Sequence, residues 1–129
     1  MVEVRFYVNK DMLCMKVEGH AEAAPKGEDI VCAGVSALAG TLADYVYGMN
    51  NAGMMEREPQ IQMNNGHAKI KAAPKPEAKG RLLLAFSVIT TGMRAIKRNY
   101  PENVDLTLFD QSDILDFSKI PESSTLRTD

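Results

Sequence analysis

Apolar and polar residues alternate strictly at the start of the chain, with Val2, Val4, Phe6 and Val8 on one side and Glu3, Arg5 and Tyr7 on the other. A period of two is the pattern of a half-buried strand. Asn9, Lys10 and Asp11 supply turn residues, and Leu13, Met15 and Val17 resume the alternation, so the first 17 or so residues predict a β-hairpin. Cys14 falls opposite Leu13, Met15 and Val17 and reads as a small apolar filler. Gly19 ends the second strand, and Ala21 to Glu28, with Pro25 and Gly27, reads as a mobile loop. The period then changes. From Asp29, a good helix N-cap, the residues Val31, Val35, Leu38, Leu42, Tyr45, Val46 and Met49 recur at helical spacing. That helix is expected to run to about Asn50, with Gly53 as its stop. Its other side is small (Ala33, Gly34, Ala37, Ala39, Gly40, Ala43), which suits close packing by another backbone or a partner.

A polar connection over residues 51–59 leads to a second hairpin. Gln60 to Asn64 and His67 to Ala72 flank Asn65-Gly66, a dipeptide that favours a tight turn between two strands. His67 beside that turn reads as an exposed strand residue. Pro74 and Pro76 mark a loop, and a second helix is expected from about Glu77 to Asn99, closed by Tyr100-Pro101. Val104, Leu106 and Leu108 alternate in a fifth strand. The order is β-β-α-β-β-α-β: an α/β (α+β) single domain with a five-stranded, mostly antiparallel sheet and two main helices. The pattern leaves open whether both helices cover one face or each covers its own. Residues 1–110 form the expected domain, and 111–129 a polar C-terminal tail, partly disordered, in which Ile114, Leu115, Phe117 and Ile120 are interspersed.

Composition narrows the function classes. The chain has 129 residues, 45% hydrophobic and 25% charged, which is ordinary for a globular protein. A net charge of −2 argues against a protein whose main task is gripping nucleic acid through phosphates. Lys69, Lys71, Lys75, Lys79 and Arg81 are read as a solvated strand and loop, and no direct nucleic-acid binding is expected. The first residues alternate instead of forming an apolar run, so no signal peptide is expected. The longest apolar run, Leu82 to Ile89, is too short to span a bilayer, so no membrane association is expected. A cytoplasmic protein follows, in which a disulfide between Cys14 and Cys32 is not expected. Two cysteines and two histidines lack the close pairing of a zinc motif, and no metal or cofactor is expected.

The chemistry points to the start of the first helix. With Asp29 as N-cap, Cys32 would be the third helical residue, beside unpaired backbone N–H groups and the positive end of the macrodipole. Helix starts of this kind favour thiolate over thiol, and an N–H beside the sulfur can stabilise the oxyanion formed when thiolate attacks a carbonyl. The departing amine needs a proton, and imidazole is the usual donor. His20 could reach the helix start if the loop folds back. Asp29 could orient that ring or only cap the helix. Ser36, one helical turn after Cys32, could touch the thiol or the substrate, or bond its own backbone. The same residues also fit a buried cysteine filler and a histidine that merely satisfies a hydrogen bond.

The wording of the stretch adds to this. Gly19-His20-Ala21, a loop with Gly27, then Asp29-Ile30-Val31-Cys32-Ala33-Gly34-Val35-Ser36 closely resembles the signature of the ribosomal-processing cysteine protease family, the Prp proteases. The resemblance runs from the opening hairpin through Asn65-Gly66 to Tyr100-Pro101 and the last strand; the tail after about Asp110 is extra. It departs at Pro25-Lys26, where family loops often carry an aromatic residue. The resemblance implies a small homodimeric cysteine endopeptidase that removes a short N-terminal extension from a ribosomal large-subunit protein, cutting after an aromatic pair. By position, Cys32 would be the nucleophile and His20 its acid/base partner, with Asp29 and Ser36 as supporting positions. The loop between them would have to order around substrate, and the small side of the first helix would serve dimer packing. The alternative is a non-catalytic ribosome assembly or peptide-binding factor.

Overall fold

The computed structural model describes residues 1–19, 28–64 and 66–110. His20, the rest of the loop to Gly27, Asn65 of the turn and the tail after Asp110 lie outside the described residues. Within them the chain forms β1 (Val2–Val8), β2 (Leu13–Glu18), α1 (Glu28–Asn51), β3 (Gln60–Asn64), β4 (His67–Ala72), a 3-10 turn (Pro76–Ala78), α2 (Lys79–Asn99) and β5 (Val104–Asp110). The element order matches the expected one.

The five strands form one sheet in the order β3-β4-β2-β1-β5. β1–β2, β2–β4 and β3–β4 are antiparallel, while β5 runs parallel to β1. The β1–β2 turn is held by Asn9, whose Oδ1 accepts from the backbone N–H groups of Asp11 and Met12, both at 2.9 Å. This local acceptor replaces the ladder partners the turn lacks. Both helices lie on one face. The inward row Val2, Val4, Phe6 and Val8 is buried with Val31, Val35, Leu42 and Val46 of α1 and Leu82, Phe86, Ile89 and Met93 of α2. Phe6 and Phe86 meet edge to face at 6.2 Å between centroids, an arrangement suited to the ring quadrupole. Lys97 donates to the Val104 carbonyl at 2.9 Å and ties α2 to β5.

The helices run antiparallel in close contact. A Cβ on Gly34 would stand 3.1 Å from Ile96 Cδ1, and one on Gly92 would stand 2.9 Å from Leu38 Cδ1. The small positions of α1 therefore divide three ways. Gly34 admits α2, Ala39 and Ala43 turn into the core, and Ala33 and Ala37 remain exposed. The helix ends as expected: Gly53, at φ 75°, donates to Asn50, and Met54 donates to Met49. These two bonds form a Schellman closure that satisfies carbonyls the last turn would leave open.

Two expectations need correction here. Glu28 belongs to α1 and not to the loop, so Asp29 is the second helical residue instead of the N-cap. The macrodipole favours acidic residues across the whole first turn, which lets the helix start one residue ahead of Asp29. The second concerns the membrane. Ile30–Asn51, with hydropathy 1.4, is long and apolar enough by length and composition to cross one. Ala and Gly fill its outer side, so the helix is apolar all round without a long run of large residues. In this fold it is the core helix, its large-residue stripe spent on the sheet.

Candidate active site

Cys32 stands in the first turns of α1 as the fifth helical residue, not the third. Its own N–H is thereby within reach of the Glu28 carbonyl in the helical pattern. Helical side chains lean toward the N-terminus, however, so the Cys32 side chain is directed toward the first turn of α1. Cys32 is half-buried and packs on the edge of the core beside the fully buried Val31 and Val35. Ile30, in the same first turns of α1, is 60% exposed. Ser36, one turn further on, is exposed. The i, i+4 spacing puts it on the same side of the helix as Cys32.

His20 lies outside the described residues, but its point of departure is well defined. Gly19 has φ 108°, a region that side chains disfavour, and its N–H donates to the Gly66 carbonyl at 3.1 Å. A Cβ at Gly19 would run into the Met1 carbonyl oxygen and stand 3.3 Å from the Val2 Cα. Thus the end of β2 is wedged between the chain's first residues and the β3–β4 turn. Only glycine fits there at no steric cost. Sequence reasoning took Gly19 for a strand stop; the close approach of Met1, which fixes its identity, depends on a pairing register that no local pattern reveals.

The open face of the sheet at this end carries charge. Register places Glu3 opposite Glu18 and Asp105, and Glu18 opposite His67. His67 is half-buried in its strand and remote from α1 by face, so it remains a strand residue here. Among the described residues, no group of three or more His, Cys, Asp or Glu side chains is arranged to hold a metal ion.

The second thiol has a different setting. Cys14, the second residue of β2, is 4% exposed, and burial pushes its pKa up, although Lys16, Lys69 and Lys71 pull the other way. Little of Cys14 reaches solvent, although it contributes to the lining of a groove on the open face of the sheet. Both cysteines are free.

Comparison with known proteins follows the same line. The sequence profile of the family described as cysteine protease Prp matches residues 1–105. The ribosomal processing cysteine protease Prp of Staphylococcus aureus (strain Mu50) is 30% identical over 112 residues, spanning 82% of this chain and 97% of that protein. The protein of the same description from Bacillus subtilis (strain 168) is 28% identical over 105 residues, spanning 77% and 88%. The crystal structure of the essential S. aureus ribosomal processing protease with a covalently linked product peptide superposes with a TM-score of 0.61 at 25% identity, over 84% of this chain and 99% of that one.

Proposed function

Because the chain belongs to the Prp family of cysteine proteases, we propose that it cleaves peptide bonds with the Cys32 thiolate as nucleophile and His20 as acid/base. One observation carries the choice of nucleophile. A cysteine protease needs an approachable sulfur, and the chain has two cysteines. Cys14 is 4% exposed within β2, whereas Cys32 is half-buried in the first turns of α1.

In this reading the sulfur attacks the scissile carbonyl carbon, and the negative charge moves to the carbonyl oxygen beside the helix N–H groups. The C–N bond then breaks, and the departing amine takes a proton from the imidazolium of His20. A thioester on Cys32 remains. Water, losing a proton to His20, attacks it and releases the new carboxylate and the thiol. The S. aureus relative holds a product peptide covalently, a state that such a pathway passes through. Asp29 and Ser36 act as supporting positions.

The substrate in this reading is an N-terminal extension of a ribosomal large-subunit protein, met in the cytoplasm, in keeping with the ribosomal processing role named for the relatives. The active form is a homodimer. Its support is an apolar groove of about 280 Å³ between the helices, bordered by Tyr45, Leu84 and Val88, which are 41%, 66% and 61% exposed. The test is incubation of the purified protein with a peptide spanning such an extension, read by mass spectrometry. Cleavage that Cys32→Ala and His20→Ala each abolish is the expected result. Cleavage unchanged in Cys32→Ala removes that thiol from the mechanism.

A further inference from the structure

The face of the sheet turned away from the helices carries a groove of about 310 Å³ at the end where β5 finishes. Tyr7 and Phe109 stack there at 4.9 Å between centroids, and Lys16 Nζ sits 5.5 Å above the Tyr7 ring. Lys69 and Lys71 line the same groove from β4. Phe109 is 47% exposed, so an apolar and a basic surface adjoin each other with no helix over them among the described residues.

We infer that this groove is the docking site of the chain's own segment Asp113-Ile114-Leu115-Asp116-Phe117. Register puts Asp110, the last residue of β5, opposite Val8, which itself lines the groove. The segment therefore leaves the sheet at the groove's rim. From β5 to Lys71 on β4 is three strand spacings, roughly 14 Å at about 4.8 Å each, which about five extended residues cover. The chemistry is complementary. Two carboxylates, Asp113 and Asp116, meet Lys16, Lys69 and Lys71, while Ile114, Leu115 and Phe117 supply apolar surface for the Tyr7–Phe109 pair. The family match covers residues 1–105, so this segment lies outside the matched stretch. Stacked aromatics flanked by lysines would also suit single-stranded RNA. The tethered acidic segment is favoured over it because a short link gives an effective concentration in the millimolar range.

The test uses the full-length chain, labelled with nitrogen-15, and reads backbone order parameters of residues 113–117 with the amide shifts of Cys14, Lys16, Lys69 and Lys71. Docking gives order parameters near the rigid value of about 0.85; Lys69→Glu/Lys71→Glu lowers them below about 0.6. Adding Asp113→Lys/Asp116→Lys to that variant restores them. Phe117→Ala moves the groove amides while leaving those of α1 and α2 unchanged. Values below about 0.6 in the unmodified chain, or no restoration by the charge swap, overturn the inference. So does an oligouridylate probe that shifts the groove amides equally in the unmodified chain and Phe117→Ala, which would mark the groove as an open RNA surface.

Discussion

Phe6 and Tyr7 are neighbours in one strand and live in different environments. Phe6 is fully buried, edge to face with Phe86 beneath the helices, while Tyr7 lies flat on Phe109 at the uncovered side of the sheet. The first contact closes a core, and the second leaves a surface that can still be occupied. The difference is one step along a pleated chain. It teaches that a single sheet can devote one face to stability and keep the other for recognition.

The strongest way to break this contrast is to truncate each ring in turn. Phe6→Ala should cost roughly 3–5 kcal/mol of unfolding free energy, as deletion of a buried aromatic does. Tyr7→Ala should cost only about 0.5–1.5 kcal/mol, the worth of an aromatic pair. Urea denaturation of both variants measures the gap, and equal losses would show that the open face is as structural as the covered one.

Gly19 stands where the sheet hands over to the helical layer. Gly19→Ala forces a disfavoured φ and a collision with Met1, for a loss of about 1–3 kcal/mol. Because it redirects the chain just ahead of His20, peptide cleavage should fall roughly a hundredfold, the usual effect of small misplacements in an active site. Thermal melts and cleavage rates measured side by side separate the two effects. A variant that is destabilised yet cleaves at the full rate would show that the glycine serves the sheet alone.

The smallest effect concerns pH. Burial holds the Cys14 thiol above the ordinary thiol range. Below that range the folded and unfolded chains bind the same proton; through it the unfolded chain loses its proton first. Stability from this group is therefore complete at neutral pH and declines as pH rises toward the raised value. Denaturation midpoints across the alkaline range should fall less steeply in Cys14→Ala. Parallel slopes would mean that burial of this thiol contributes nothing to the pH dependence.

The covered face was legible in the sequence because its information is local. The alternation of Val2, Val4, Phe6 and Val8 and the Asn65-Gly66 turn each specify an element from within a few residues. The open face was not. That Tyr7 meets Phe109 depends on β5 lying parallel beside β1, and the alternation of Val104, Leu106 and Leu108 names no partner strand. The helix start was misplaced by one residue because Glu28 and Asp29 suit a first turn equally. As for the site, local physics made a reactive Cys32 and a reachable His20 possible but left a buried filler equally open; the wording of the motif favoured the pair, and His20 falls outside the described residues.

The parallel seating of β5 on β1 has a consequence for biogenesis. β1 is made well before β5 and acquires its second neighbour only when residues 104–110 have been made. Until then Val4 and Phe6 lie in an unprotected edge strand, the kind that invites intermolecular pairing. Contacts of such long sequence separation also form slowly. Maturation of this protein is thus timed by its last strand, and a nascent chain lacking it is both incomplete and prone to aggregate.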